Sequence, residues 1–382
     1  MDLTQTLAGP YGSMILGDMG AEIIKIEPPG KRQVVGGGVT FMGESIHFLA
    51  VNRNKKSIIL NLKASKGKKI FYELTRKADV VFDNYRAGVL ERLGIDYATL
   101  KGINPRIISC SVTGFGSTGP YKDRPAYDLI VQAISGGMSI TGDPPPARAG
   151  LPIGDLCGGM FAAHGIMAAL YSRERTGVGQ RVEVALLDGQ IALLTYCVPE
   201  YFIAGTAVGP VGVGQRSDPT YRMFKTSDKP IVIAIAPGAR FWQNLCRALD
   251  REDLATNPRF DTYDKRKESG AELTSIMEQI LLGRSSQEWL DRLVREGVPA
   301  GPVNTIGEAL NDPQVLHQQM VVPVDYVVGG RMKMAGSPIK MSGADPVFAS
   351  PPTFGQHTEE VLSGLLGYSA ADIAELGREG VV

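Results

Sequence analysis

One aspartate of this 382-residue chain, Asp155, lies among glycines just before a long apolar stretch, in the segment Gly154-Asp155-Leu156-Cys157-Gly158-Gly159. Residues 160–171 are mostly small and apolar and predict a closely packed helix, whose N-terminus Asp155 would cap. The amide groups and the dipole there keep a carboxylate ionised. The glycines would let substrate and backbone approach closely, and exposed backbone N–H groups could stabilise an oxyanion. The segment therefore predicts either a structural cap or a carboxylate nucleophile.

A second candidate is the basic interval, residues 53–69. It contains no acidic residue and seven basic ones, namely Arg53, Lys55, Lys56, Lys63, Lys66, Lys68 and Lys69. Most runs of this kind are a solvated helix face, and residues 64–78 do have apolar side chains one helical turn apart. Lys63, however, directly follows a predicted strand, at the edge where a phosphate-bearing ligand would lie. Both interpretations stay open for the basic interval.

Other signatures of ligand binding do not occur in the sequence. It contains no Walker A sequence, and no Gly-x-Gly-x-x-Gly stands between a predicted strand and helix. The four cysteines form no CxxC pair and the four histidines show no HExxH spacing, so we expect a reducing compartment and no metal site. Basic and acidic residues number 40 each, which argues against nucleic acid as a partner. Without a leader pattern or an apolar run of about 18 residues, we expect a cytoplasmic protein with no membrane partner.

The elements that must position these residues alternate along the first third of the chain. Short β-rich runs at residues 21–27, 57–62, 79–85 and 106–112 are separated by segments with helical spacing. This alternation predicts parallel strands joined by helical crossovers, an open α/β sheet. Ligands of such sheets bind outside the carboxyl ends of the strands.

A second, smaller domain is predicted after residue 204. Residues 205–218 are rich in Gly and Pro and indicate a linker or mobile loop. A predicted strand at 231–236 and predicted helices at 240–249, 271–282 and 287–296 follow, which favours an α+β domain. The tail adds a predicted hairpin near 326–334 and an amphipathic helical region at 359–376.

Seven segments, in order along the chain, resemble the class III CoA-transferases, of the CaiB/BaiF type. They are residues 2–10 (DLTQTLAGP), 20–28 (GAEIIKIEP), 52–57 (NRNKKS), 83–88 (DNYRAG), 152–155 (PIGD), 176–180 (TGVGQ) and 355–358 (GQHT). The resemblance covers essentially the whole chain. It implies a CoA-transferase that takes CoA and acyl-CoA as substrates, has no permanently bound cofactor, and uses neither metal nor ATP.

The resemblance also implies an architecture. Residues 1–204 and a return segment, 311–382, would form a large Rossmann-like CoA-binding domain, and residues 205–310 would form the small domain with its linker. Two such chains would thread through each other as an interlocked homodimer. The loop at residues 209–215 would be a lid that excludes water, although a plain flexible linker fits its sequence equally well.

The family's functional residues fall on particular positions of this sequence. The nucleophilic aspartate falls on Asp155, which would form an aspartyl anhydride and then an aspartyl-CoA thioester. The CoA-contacting positions fall on Ala8, Leu60, Lys63, Asn84, Tyr85, Arg92 and Tyr127. Residues 52–57 and 355–358 are most similar to enzymes that use succinyl-CoA with a second organic acid. Leu7 stands where formyl-CoA transferases have Gln, so oxalate is not the first acceptor we expect.

Two alternatives are open at this point. The α-methylacyl-CoA racemases of the same family keep the aspartate and add a His directly before the position of Asp128, where this chain has Tyr127. They also have a Glu in the small domain, where this chain reads Ala236-Pro237-Gly238-Ala239-Arg240. Both departures favour transfer over racemisation, since an ordinary tyrosine is a poor base at neutral pH. A catalytically inactive CoA-binding protein is disfavoured by the intact segment around Asp155.

Overall fold

The computed structural model describes residues 1–32, 39–205, 209–210, 212–214, 218–235, 237–343 and 346–382. The chain forms two compact units. Unit 1 comprises Met1–Gly137, Arg148–Pro199 and Pro313–Val382, and unit 2 comprises Met138–Ala147 and Glu200–Asp312. Compactness alone does not test the domain ranges 1–204, 205–310 and 311–382, which stay a prediction.

The first two segments of unit 1 alternate strands and helices. The strands are β1 (Ile23–Glu27), β2 (Thr40–Phe41), β3 (Glu44–Ser45), β4 (Lys55–Ile59), β5 (Val80–Asp83), β6 (Ile108–Thr113) and β7 (Arg181–Ala185). The helices are α1 (Ala8–Asp18), α2 (Ile46–Val51), α3 (Ser65–Lys77), α4 (Val89–Leu93), α5 (Tyr97–Ile103), α6 (Asp128–Ile134), α7 (Ile153–Thr176) and α8 (Leu186–Leu193), followed by α9 (Cys197–Ala204) at the unit boundary.

The sheet of unit 1 is parallel. β1 pairs with β4, and β5, β6 and β7 pair in that order. The start of the chain joins the two groups, because Asp2 bridges to both Lys25 of β1 and Phe82 of β5 in parallel orientation. The resulting order is β4, β1, residues 1–3, β5, β6, β7, with all carboxyl ends at one edge. The predicted α/β fold with parallel strands is thereby confirmed.

The helices cover this sheet through the apolar faces that their spacing predicts. On α3, Ile70, Phe71 and Leu74 are buried while the lysines face outward. They belong to a core that also contains Ile58 of β4 and, from the end of the chain, Leu362. The return segment therefore completes the core of unit 1. Its elements are α16 (Pro313–His317), β11 (Val321–Asp325), β12 (Arg331–Ala335), α17 (Thr358–Leu366) and α18 (Ala370–Arg378).

Unit 2 has a mixed architecture with its own core. Its antiparallel sheet has the order β10-β9-β8 and is built from β8 (Tyr221–Phe224), β9 (Ile231–Ala234) and β10 (Ala300–Pro302). Its helices are α10 (Ala239–Ala248), α11 (Asp253–Thr256), α12 (Tyr263–Glu268), α13 (Gly270–Leu281), α14 (Ser286–Arg295) and α15 (Ile306–Ala309). Trp242, Leu273 and Trp289 are buried together in the core between them.

The long helix α7 is central to unit 1, where it packs against α1, α6, α8, β6 and β7. By length and composition alone it is long and apolar enough to cross a membrane, which the sequence reading did not anticipate. Such a helix is weak evidence for a membrane span, because core helices of soluble proteins meet the same criterion. Of the apolar 18-residue stretch within α7, 44% is buried inside the structure.

Candidate active site

Asp155 lies in the first turn of α7. The helix begins at Ile153 and its N-cap position is Pro152, so Asp155 is the third helical residue. The predicted capping role of Asp155 is therefore wrong, because the helix begins at Ile153, before Asp155. Its half-buried side chain belongs to the first turn, where the amide ends and the dipole are strongest.

The cap of α7 comes from another helix. Asp128, the first residue of α6, accepts hydrogen bonds on Oδ1 from the backbone N–H groups of Gly154 at 2.8 Å and Asp155 at 3.3 Å. Its second oxygen, Oδ2, accepts a bond from Gln132 Nε2 at 2.6 Å. The predicted free amides at the start of α7 are thus occupied by a carboxylate. Sequence reasoning did not assign this role to Asp128, since the two helices start 25 residues apart.

Gln132 holds Asp128 in this position. The Gln132 side chain is buried, and its Oε1 accepts a bond from the backbone N–H of Ala149 at 2.9 Å. Its amide is therefore oriented with the oxygen toward Ala149 and the nitrogen toward Asp128. The chain from Ala149 through Gln132 to Asp128 connects the loop before α7 with the cap of α7.

The environment of Asp155 changes its acidity. Burial raises the pKa of Asp155 to about 6, and the neighbouring negative charge of Asp128 acts in the same direction. Two carboxylates close together resist simultaneous ionisation. A carboxyl group with this pKa is still largely ionised at neutral pH and is more basic than an exposed aspartate, which suits a nucleophile.

The glycines around Asp155 serve packing. A Cβ atom at Gly158 would lie 2.4 Å from Leu186 Cδ2, and one at Gly159 would lie 2.5 Å from the carbonyl oxygen of Ala8. The predicted close approach of backbone is confirmed at Gly159, whereas the Cα atoms of both glycines face neighbouring elements rather than space for a substrate. Gly154 is different, since a Cβ there would meet Asp128 Oδ1 at 3.0 Å and Gln190 Nε2 at 3.4 Å.

Gln190 of α8 is a polar residue that the sequence did not reveal. It is 5% exposed, and its Nε2 makes no hydrogen bond with the part of the chain that the structure describes. Buried amide donors without a partner are uncommon and call for an explanation, such as an ordered water or a role in the site. No sequence motif could have identified it, because its proximity to Gly154 arises from the packing of α8 against α7.

Several predicted CoA-contacting residues follow the carboxyl ends of neighbouring strands. Ala8 begins α1, Leu60 and Lys63 follow β4, and Asn84 and Tyr85 follow β5. Parallel strands end at one edge of the sheet, so these positions share that edge. Lys63 is exposed, whereas Ala8 and Leu60 are buried.

Asn84 fixes one loop at this edge. Its side-chain oxygen accepts a bond from the backbone N–H of Gln5 at 2.8 Å, and its Nδ2 donates to the Gln5 carbonyl oxygen at 2.8 Å. The amide of Asn84 thus holds the segment that leads into α1. Tyr85 is half-buried against the core of unit 1, and burial raises its pKa.

The remaining two predicted contacts, Arg92 and Tyr127, are both exposed. Arg92 lies on α4 and is exposed, close to Gly88, where an added Cβ would meet its Nη1 at 3.2 Å. Tyr127 precedes α6 and is 72% exposed. Its neighbour Ala126 packs at the end of β6, where a Cβ at Gly114 would lie 2.2 Å from the Ala126 Cβ. Tyr127 therefore lies at the same edge as Asp128 and Asp155.

Much of the basic interval is structural. Arg53 and Lys55 are buried and pair with Asp18 at 2.6 Å and Asp2 at 3.0 Å. Lys56 pairs with Glu22 and Glu360, and Lys66 with Glu375 and Glu379. The interval as a whole is therefore not an anion-binding cluster. Lys63 and Lys69 are exposed and Lys68 is half-buried.

The proposed lid and the small-domain segment used to weigh racemisation lie partly outside the described residues, at positions 211, 215 and 236. In the described part of the lid, Gly214 bridges to Arg222 and Met223 N donates to the Val213 carbonyl oxygen at 2.8 Å. This part lines an open cavity of about 800 Å³ within unit 2. Its role as a lid stays a prediction.

Metal ligands do not cluster in this protein as far as the structure describes it. Within the described ranges, no group of three or more His, Cys, Asp or Glu side chains could hold a metal ion. The four cysteines are free thiols, and burial raises the pKa of Cys157 to about 11. A thiol of that acidity is not a nucleophile at neutral pH. Asp155 is then the candidate nucleophile at the start of α7.

A parallel α/β sheet with a basic carboxylate at its carboxyl edge is typical of the class of α/β proteins that bind a ligand at that edge, and it does not by itself identify an activity. Comparison with known proteins narrows the class. Residues 1–358 match the model of CoA-transferase family III. The chain therefore belongs to CoA-transferase family III, and it is a CoA-transferase whose substrates are CoA thioesters.

Individual relatives agree with this assignment. The chain is 42% identical over 349 residues to the acetyl-CoA:oxalate CoA-transferase of Acetobacter aceti, covering 90% of this chain and 88% of that protein. It is 38% identical over 391 residues to the succinyl-CoA:glutarate CoA-transferase of Homo sapiens, covering 100% of this chain and 88% of that protein. A CaiB/BaiF family protein from Brucella suis has a similar structure, with a TM-score of 0.84, 33% identity, and coverage of 95% and 97% of the two chains.

Proposed function

We propose that the enzyme transfers CoA from an acyl-CoA donor, with succinyl-CoA as the first candidate, to a free carboxylic acid, and that Asp155 is the nucleophile. The observation that carries the proposal is the carboxyl of Asp155, half-buried in the first turn of α7, with its pKa raised to about 6. The donor is suggested by relatives named for succinyl-CoA with glutarate and with D-citramalate. The acetyl-CoA:oxalate relative adds acetyl-CoA and oxalate to the substrates that need testing.

The transfer proceeds through two activated intermediates. A carboxylate oxygen of Asp155 attacks the thioester carbonyl, the C–S bond breaks, and an anhydride and CoA thiolate form. The thiolate then attacks the Asp155 carbonyl carbon, which releases the donor acid and leaves an aspartyl-CoA thioester. The acceptor carboxylate repeats the two steps in reverse order and departs as its CoA thioester. Each intermediate is itself an activated acyl derivative of Asp155, so the energy of the thioester is conserved and no ATP is consumed.

CoA would bind along the carboxyl edge of the unit 1 sheet. Lys63 and Arg92 are exposed cations that suit its phosphate groups. The backbone at Leu60 and Ala8 would line the path toward Asp155, while Tyr127 would lie beside the thioester. Asn84 would act by holding the loop at Gln5, since both ends of its amide are already bonded to that backbone.

We also propose the interlocked homodimer. Unit 1 leaves large apolar side chains exposed on three helices that pack on one another. They are Leu129, Ile130 and Ile134 on α6, Met160 and Phe161 on α7, and Ile191 and Leu193 on α8. Exposed apolar clusters commonly mark protein–protein contacts, and a second copy would cover this one.

Racemisation gains no support from the described site. A two-base mechanism needs a base on each face of the substrate carbon. The side chain before Asp128 is the phenol of Tyr127, and the nearby Asp128 carboxylate is engaged by three donors. Racemase activity would appear as deuterium incorporation next to the thioester carbonyl, in D₂O and without an acceptor acid.

Asp155→Ala tests the nucleophile. We expect CoA transfer to fall by at least about a thousandfold, because no other group can form the acyl intermediate. The assay incubates the enzyme with a panel of acyl-CoAs and acids and follows the product masses. Asp264→Ala, which removes a carboxylate from the first turn of α12, is the matched control and should keep full activity. Substantial transfer by a folded Asp155→Ala protein would refute the assignment.

A further inference from the structure

Asp128 binds the end of a helix to which it does not belong. Its Oδ1 accepts the N–H groups of Gly154 and Asp155, and its Oδ2 is held by Gln132. Gly154 makes this approach possible, since a Cβ there would lie 3.0 Å from Asp128 Oδ1. An anion other than Asp155 therefore occupies the positive end of α7.

This placement changes what α7 does to Asp155. Amides and dipole at a helix N-terminus stabilise a carboxylate, which lowers both its pKa and its reactivity. Here the amides at residues 154 and 155 donate to Asp128, and the charge of Asp128 opposes ionisation of Asp155. The two effects of Asp128 act in the same direction, and both keep Asp155 basic.

Other charged groups near α7 do not explain this effect. The described elements that pack against α7 carry further titratable side chains: Tyr11 and Asp18 on α1, Cys110 on β6, Arg181 and Glu183 on β7, and Asp188 on α8. The first turns of α7 also contain Cys157. None of these side chains contributes to the raised pKa of Asp155, whereas the negative charge of Asp128 does.

We propose that Asp128 is a positioning residue of the transfer reaction. It fixes the first turn of α7 and keeps a negative charge close to the Asp155 carboxyl. The inference rests on the proposed role of Asp155 as nucleophile. Asp128 itself forms no bond to substrate. It acts through Asp155, whose carboxylate attacks the thioester more readily when its charge is not neutralised by the helix end.

The test is the pH dependence of kcat/KM for Asp128→Asn. Asparagine keeps an oxygen that can accept the N–H groups of Gly154 and Asp155 but removes the charge. We expect the acid limb, the pH range over which kcat/KM falls on acidification, to move to lower pH. The plateau of kcat/KM above about pH 7 should fall by at least about threefold, since nucleophilicity falls with basicity. Asp264→Asn, which removes a charge from unit 2, is the control and should leave the acid limb and the plateau of kcat/KM unchanged.

A second variant restores the hydrogen bonds without restoring the charge at residue 128. In Asp128→Asn the introduced NH2 group would face Gln132 Nε2, so that two hydrogen-bond donors would meet. Asp128→Ser avoids this contact, because its uncharged hydroxyl oxygen can accept bonds from a helix N–H group and from Gln132 Nε2, so it covers the case in which Asp128→Asn folds poorly. If Asp128→Ser folds and its acid limb coincides with that of the wild type, Asp128 is purely structural and the proposal is overturned.

Mass spectrometry separates this proposal from the one on which it rests. Wild-type enzyme is incubated with succinyl-CoA or acetyl-CoA, and the peptide containing Asp155 is examined for a CoA adduct. An adduct on another residue would refute the nucleophile. An adduct on Asp155 together with an unmoved acid limb in the Asp128 variants would refute the role of Asp128 alone. Slower adduct formation in Asp128→Asn, with the limb at lower pH, would support both.

Discussion

At the scale of single residues, the surroundings of the Asp155 carboxyl set its pKa, which the pH dependence of kcat/KM can measure. Its carboxyl is half-buried beside a second carboxylate, and its pKa is raised to about 6. A raised pKa means that the protonated form persists to higher pH than in an exposed aspartate. In the proposed mechanism the attacking group is the carboxylate, so we expect the protonated enzyme to be inactive.

The pH profile of the wild-type enzyme follows from this. We expect kcat/KM to be flat above the pKa of Asp155 and to fall about tenfold per pH unit below about pH 6. Steady-state rates between about pH 4.5 and 8, with circular dichroism to verify folding at each pH, would measure it. An acid limb near about pH 4, the ordinary range of a carboxyl group, would contradict the prediction.

A second buried carboxyl needs a control. Burial also raises the pKa of Asp83 to about 6, although Ser111 and the Tyr85 backbone N–H donate to it. Asp83 lies at the end of β5, next to the predicted CoA contacts, so its titration could be mistaken for that of Asp155. In Asp83→Asn the limb should stay at its wild-type position. Its disappearance would assign the limb to Asp83.

At the scale of elements, features that depend on local sequence patterns could be predicted, whereas features that depend on tertiary contacts could not. The strands, their parallel arrangement and the edge that carries Lys63, Asn84 and Tyr85 follow from local patterns along the chain. The cap of α7 does not, because Asp128 meets Gly154 through the packing of two helices. For the same reason, the spacing of Arg53 and Lys55 could not indicate their burial against Asp18 and Asp2, which lie 35 and 53 residues earlier.

The crossing of α1 and α7 is another tertiary feature, which depends on direct backbone contact. At Gly159 a Cβ would lie 2.5 Å from the Ala8 carbonyl oxygen and 3.1 Å from the Gly12 nitrogen. At Gly12 a Cβ would lie 2.7 Å from the Gly159 carbonyl oxygen. Both neighbours are backbone atoms, so an added methyl group can be accommodated only if the helices separate.

Gly159→Ala should therefore destabilise unit 1. We expect the free energy of unfolding to fall by about 1–3 kcal/mol, as overpacking outweighs the helix propensity of alanine. Urea unfolding followed by circular dichroism would measure the change. The matched control is Gly102→Ala in α5, where nothing lies within 4 Å of the added Cβ, and it should be neutral or slightly stabilising. Equal stability of the two variants would contradict the backbone contact.

At the scale of the whole molecule, surface properties indicate the partners. The 40 basic and 40 acidic residues balance, and much of the basic interval is engaged in ion pairs within the chain. We therefore expect binding of CoA to depend on a few exposed cations such as Lys63 and Arg92. Apolar side chains are also exposed, with Phe202 at 77% and Ile203 at 85% on α9 in addition to those of α6, α7 and α8. This amount of exposed apolar surface is consistent with an assembled form of the chain.

Subunit exchange distinguishes an interlocked dimer from one that merely associates through a surface. Two threaded chains cannot separate unless at least one of them unfolds, so their exchange is limited by the unfolding rate rather than by the strength of the interface. Tagged and untagged protein, purified separately and then mixed, should give no mixed dimers by native mass spectrometry over hours at about 25 °C. After unfolding in urea and refolding together, about half of the dimers should be mixed, since random pairing of equal amounts gives that proportion. Rapid exchange under native conditions would show that the chains are not threaded, and a monomer at micromolar concentration would remove the dimer altogether.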